Sequence, residues 1–95
     1  MRNYEVMYIL KPELEEEAIN AAVTRFEDVV QTNGGEIVKT DRWGKRRLAH
    51  EVKGYFEGFY VLMYIKAPSN AGQEIDRVLK IHDGVIRHLV IKTDE

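Results

Sequence analysis

Phe59-Tyr60-Val61-Leu62-Met63-Tyr64-Ile65-Lys66 is the stretch that decides the fold of this 95-residue chain. Seven apolar or aromatic residues stand in a row before the first charge. A strand that is apolar on both faces belongs in the middle of a sheet. The run is far too short to cross a membrane, which takes about twenty residues as a helix. Ala67-Pro68 closes it, because proline has no N–H to donate to a β-ladder.

Toward the C-terminus, Ser69 caps a helix over residues 70–81 whose Ile75, Val78, Leu79 and Ile81 face the core. Gly72 weakens its first turn by about 1 kcal/mol relative to alanine. His82-Asp83-Gly84 makes a turn, and residues 85–92, β-branched and aliphatic, form a last strand. Toward the N-terminus, Lys53-Gly54-Tyr55-Phe56-Glu57-Gly58 reads as a mobile connection. Before it, residues 36–40 begin a strand that extends through Trp43 and is interrupted at Gly44. A helix starts at Glu13, with Leu14, Ala18, Ile19, Ala22, Val23, Phe26, Val29 and Val30 on one stripe. Glu13, Glu15, Glu16 and Glu17 sit in its first turns, where negative charge suits the helix dipole, and Asn33-Gly34-Gly35 ends it. Residues 3–10 alternate, yet both faces are largely apolar, so this too is a central strand.

The order is β-α-β-β-α-β. Two helices can cover one face of a four-stranded sheet and no more. The expected class is α+β: a ferredoxin-like split β-α-β with an antiparallel sheet, its first and third strands in the middle. Residues 1–95 make one domain. The other face stays uncovered and presents, depending on which parity faces the helices, several of Tyr4, Tyr8, Tyr60 and Tyr64, or of Met7, Ile9 and Met63. Such a face suits a protein partner or stacked bases.

Composition narrows the function. The 44% hydrophobic and 32% charged shares describe a globular domain rather than a disordered tail. The absence of cysteine excludes disulfides, thiol catalysis and cysteine-ligated zinc. His50, His82 and His88 lie in three segments without ligand spacing, so no metal or other cofactor is expected. There is no phosphate-cradling loop opening a helix and no nucleophile beside a base, so the chain does not read as an enzyme. The opening Met1-Arg2-Asn3-Tyr4-Glu5 enters a strand directly and lacks a secretory pattern, pointing to the cytoplasm and away from membranes.

Charge is concentrated in one place. Residues 42–53, Arg42-Trp43-Gly44-Lys45-Arg46-Arg47-Leu48-Ala49-His50-Glu51-Val52-Lys53, hold five of the fourteen lysines and arginines, one carboxylate and the tryptophan. Their formal charge is +4 in a chain of net −2, so the rest of the molecule sums to −6. Arg42, Lys45, Arg46, Arg47 and Lys53 are phosphate donors by chemistry, Trp43 can stack on a base or sugar, and Gly44 lets neighbouring cations point different ways. His50 is counted with them, and Arg2 and Arg87, at the starts of the first and last strands, are secondary candidates. The plainer alternative is a charged edge that merely discourages sheet-to-sheet association. Lys53-Gly54-Tyr55 begins like the third-strand signature of sheet-platform RNA-recognition motifs, but Phe56 and Glu57 break the pattern where a small residue and a stacking aromatic are needed.

Taken together these segments resemble the family of the sixth protein of the bacterial small ribosomal subunit. Met1-Arg2-Asn3-Tyr4-Glu5-Val6 is similar to its opening, residues 43–53 to its basic signature, Gly58-Phe59-Tyr60 to its third strand, and Ile81-His82-Asp83-Gly84-Val85-Ile86-Arg87 to its last turn. His50 stands where the family usually has tyrosine and Val52 where it has isoleucine, which puts the role of that tyrosine in doubt here. The resemblance implies a ribosome-associated protein that binds the central domain of small-subunit ribosomal RNA paired with the eighteenth small-subunit protein, and is a monomer when isolated. A competing reading is an oligomeric ferredoxin-like regulatory domain that binds an anionic small molecule.

Overall fold

The computed structural model describes residues 1–93. Its elements are β1 (Arg2–Leu10), α1 (Glu16–Thr32), β2 (Glu36–Val52), β3 (Tyr55–Ala67), α2 (Ser69–Ile81) and β4 (Val85–Lys92). All four strands are antiparallel, in the order β2-β3-β1-β4, so the two doubly apolar strands are the inner ones as expected. Both helices lie on one face. Val6, Tyr8 and Leu10 of β1 and Val61, Met63, Ile65 and Ala67 of β3 meet Ala22, Val23, Phe26, Val30, Ile75 and Leu79 there. The rings of Tyr8 and Phe26 meet edge to face, centroids 4.8 Å apart, and His82 approaches the same Phe26 at 5.1 Å. Neither expected set of exposed residues holds: Tyr4, Tyr8 and Met63 pack on the covered face, while Tyr60 and Tyr64 share the open face with Met7 and Ile9, because antiparallel pairing sets Ile9 opposite Tyr60 and Met7 opposite Leu62.

Helix boundaries depart from the sequence pattern in small ways with clear causes. α1 begins at Glu16 rather than Glu13, because Pro12 leads into a separate turn in which the Leu14 N–H donates to the Lys11 carbonyl at 3.3 Å. Ala18, placed on the apolar stripe by spacing, is exposed in that first turn. At the other end Gly34 takes φ 88°, and the Gly35 and Gly34 N–H groups donate to the Val30 and Gln31 carbonyls at 2.8 and 3.1 Å. This pair of bonds satisfies carbonyls that a helix end would otherwise leave unpaired. Ser69 is the first residue of α2 and not its cap. Pro68 holds that place, and its carbonyl accepts from the Ala71 and Gly72 N–H groups. Gly72 is buried against the Tyr4 ring, where a Cβ would stand 2.9 Å from Cζ, so close helix–strand packing explains it. Ile81, expected in the core, is 62% exposed.

The largest departure is β2. The chain does not break at Gly44, and residues 53–58 are not a mobile connection; they are the turn and first strand residues of a long hairpin. Val52 pairs with Tyr55 across Lys53 (φ 51°) and Gly54 (φ 85°). Positive φ at both central residues makes the two-residue turn whose twist matches the flanking strands. Register shifts interrupt the ladder at Val38, at Trp43 and between Arg47 and Val52. Each extra residue reverses which parity points toward the helices.

One buried polar atom gives a sharp test. The Tyr8 hydroxyl is fully buried and has no hydrogen-bond partner among the described residues. Burial, reinforced by the Glu27 carboxylate and opposed by Arg42, drives its phenol above the ordinary value near 10. Tyr8→Phe is expected to leave stability unchanged or raise it by about 1 kcal/mol, read as a denaturant midpoint. Because the folded-state pKa lies above the unfolded one, wild-type stability is intact below pH ~10 and declines as pH rises past it. The phenylalanine variant is expected to escape that contribution, about 1.4 kcal/mol per pH unit. A loss above 1 kcal/mol at neutral pH would show that the hydroxyl is bonded after all.

Candidate nucleic-acid interface

Beyond the Lys45–Phe59 pair, which lies level with Leu10 at the end of β1, the β2–β3 hairpin continues as a two-stranded ribbon. Two-stranded ribbons twist strongly, so side chains rotate from one face of the sheet to the other along its length. The five cations of residues 42–53 are all exposed, and none of them makes an ion pair among the described residues. Lys39 and Arg77, by contrast, sit against Asp41 and Glu74. The hairpin charge is therefore not neutralised within the fold.

The predicted site residues do not all share a face. Trp43, extruded by its bulge beside Gly44 (φ 85°), lies on the helix-free face and stacks parallel to Tyr60, centroids 6.4 Å apart and planes 6° apart. The Arg46 guanidinium lies 5.4 Å from the indole centroid, so this tryptophan is partly engaged within its own chain. Arg46 is opposite Gly58 on that same face. Arg87 joins them from β4, because Gly44, Tyr60, Ile9 and Arg87 form one register row across all four strands. Arg42 points the other way and donates to the Asn20 side chain on α1. Lys45 and Arg47 share its side by register, opposite Phe59 and Glu57. His50 is exposed in the shifted stretch, Lys53 is in the turn, and Arg2 is at the far end of β1, opposite Ala67. The other two histidines are used structurally. Gly84 N–H donates to His82 Nδ1 at 3.0 Å, and His88 Nε2 bonds Asp76 of α2 at 2.9 Å.

Below the Gly44–Arg87 row, the open face is apolar in its middle. Leu62, Met7 and Leu89 make the next row with Asp41, and Tyr64, Glu5 and Ile91 the one after with Lys39. Leu89 and Ile91 remain 48% and 45% exposed. Ile9 alone in this group is sealed, because Gly58 and Ile86 close over it.

A model of the family described as Ribosomal protein S6 matches residues 3–92. The chain belongs to the ribosomal protein S6 family. It is 54% identical to the small ribosomal subunit protein bS6 of Desulforamulus reducens and 50% identical to that of Carboxydothermus hydrogenoformans, each over all of this chain and at least 99% of the relative. The crystal structure of 30S ribosomal protein S6 from Thermotoga maritima superimposes with a TM-score of 0.92 at 29% identity, covering 97% of this chain and 87% of that one. This S6 chain is thus a protein of the bacterial small ribosomal subunit, cytoplasmic and ribosome-associated, and not an enzyme. The reading as a metabolite-binding regulatory domain is set aside by that membership. Within the S6 fold, sequence reasoning found the hairpin cations but missed Tyr60 as the platform under Trp43. Only the bulge brings them together, and no residue pattern announces a bulge beyond Gly44 itself.

Proposed function

We propose that this S6 protein binds the central domain of small-subunit ribosomal RNA together with the eighteenth small-subunit protein. The observation that carries this reading is the hairpin charge: five cations on a chain of net −2, none ion-paired among the described residues. Phosphate is the natural counter-charge for such a ribbon, which can follow a nucleic-acid backbone. The overall negative charge weakens RNA binding by the chain alone, and a partner on the apolar open face would supply what is missing. Arg42, Lys45, Arg46, Arg47 and Lys53 serve as phosphate donors along the ribbon, with Arg87 and Trp43 on its inner face, and His50 and Arg2 as peripheral contacts. The isolated chain is a monomer.

The test is binding to a central-domain ribosomal RNA fragment, with and without the eighteenth protein, at two salt concentrations. Tight binding that weakens steeply with salt and requires the partner is expected. Salt-independent binding, or none in any condition with both proteins folded, would reject the reading. Sedimentation of the isolated chain as a stable dimer would reject its monomeric state.

A further inference from the structure

At the tip of the ribbon, the hairpin turn helps to form a second cationic surface, which borders the open face at Arg87. Resting on the RNA-binding reading above, we infer that Lys11, Lys53, Lys80 and Arg87 build a second phosphate-binding cleft for the same RNA. A cleft of about 380 Å³ is lined by Lys11 at the end of β1, Lys53 and Tyr55 at the hairpin turn, and Lys80 at the end of α2, with Asp83 its one carboxylate. A smaller depression next to it shares Lys53 and Lys80 and extends to Arg87. Four separate segments thus deliver four cations to one end of the molecule. None of the four makes an ion pair among the described residues. Gathering like charges is unfavourable unless an anion lies between them.

The cleft is held in shape by bonds outside its charged groups. The Tyr55 hydroxyl donates to the Glu13 carboxylate at 3.1 Å, which ties the hairpin tip to the segment after β1. The Lys11 N–H donates to the Gly84 carbonyl at 2.9 Å, fixing that lysine beside the α2–β4 turn. Lys53 is the one non-glycine residue with positive φ among those described, a conformation that costs about 1–2 kcal/mol and sets the tip's direction. His82, although in the lining, is occupied by its bond from Gly84 and its contact with Phe26, so the lysines carry the site. The cleft runs on through Lys53 and Lys80 into the depression that reaches Arg87, so its cations are strung along a length rather than gathered at one point. A backbone of successive phosphates matches that shape better than a single small anion does.

The experiment uses the full chain with the eighteenth protein and the central-domain RNA fragment. Affinity is followed against salt for wild type, Lys11→Ala/Lys80→Ala, and the same pair changed to arginine. The alanine pair is expected to flatten the slope of log K on log salt by roughly 1.4–1.8, from about 0.7–0.9 per lost phosphate contact, and the arginine pair to restore it. An unchanged slope in a folded alanine pair, with wild type binding normally, would overturn the cleft and leave the wider RNA reading standing. Absence of wild-type binding would overturn both. Titration with inorganic phosphate that shifts the Lys11 and Lys80 amide resonances, without any change in RNA slope, would assign the cleft to a free anion and also overturn the inference.

Discussion

Gly58→Ala is expected to lower stability by about 3 kcal/mol, the upper end of what an added methyl costs in a packed site. A Cβ at this position would lie 2.3 Å from Ile9 Cγ2 and 3.1 Å from the Leu10 carbonyl oxygen, with Ile86 Cδ1 at 3.3 Å. Neither near neighbour can yield cheaply. Cγ2 branches directly from Cβ and moves only with χ1, which is stiff in isoleucine. The carbonyl belongs to a central strand. For a domain of this size the loss corresponds to a fall in Tm of roughly 12–24 °C. Gly44→Ala provides the contrast: nothing stands within 4 Å of its Cβ, but φ 85° strains any L side chain by about 1–2 kcal/mol. Thermal melts of the two variants should therefore rank Gly58 well below Gly44. Equal melts would mean that steric closure over Ile9 is not what the glycine provides.

The second large effect is on RNA affinity. Arg46→Ala/Arg47→Ala removes two unpaired cations from opposite sides of the ribbon, since Arg46 faces Gly58 and Arg47 faces Glu57. If both contact phosphate, the salt slope should flatten by roughly 1.4–1.8, which amounts to roughly twentyfold to sixtyfold in affinity for each tenfold change in salt. The variant should fold, because both side chains are exposed and Trp43 keeps its stack on Tyr60. Arg46→Lys/Arg47→Lys should preserve most of the slope, since the charge remains. A folded alanine variant with the wild-type slope would take both arginines out of the interface.

Much of this was legible from residues alone, for reasons that differ by element. The runs at 59–66 and 3–10 announce central strands because both of their faces are apolar. The end of α1 is legible because Gly34 supplies a positive φ that few other residues accept. β2 was illegible past Trp43. Ile37 faces the helices, then Thr40 and Arg42, then Lys45 and Arg47, so parity reverses at each bulge and no period of two survives. The turn hid for a related reason: Lys-Gly carries only the second half of the usual Asn-Gly or Asp-Gly signal. At the candidate site, sequence grouped cations by proximity in the chain, whereas the sheet sorts them by face. It therefore separates Arg42 from Arg46, while Lys11 and Lys80, 69 residues apart in sequence, line the same cleft.

The position of β1 has a consequence for how the chain is made. Its two neighbours are β3 and β4, so the first strand to leave the synthesising ribosome waits for β3 before one edge is paired and for β4 before both are. At 5–20 residues per second, the roughly eighty residues between the end of β1 and the end of β4 take about 4–16 s. During that interval the β2–β3 hairpin, closed by a two-residue turn, is the one piece of the sheet that can form from neighbouring sequence. Pulse-labelled hydrogen exchange should find its amides protected before those of β1. A nascent chain stalled short of β4 would then expose the inner strand's edge as a ready template, so the vulnerable moment in this protein's life comes in synthesis rather than in the folded state.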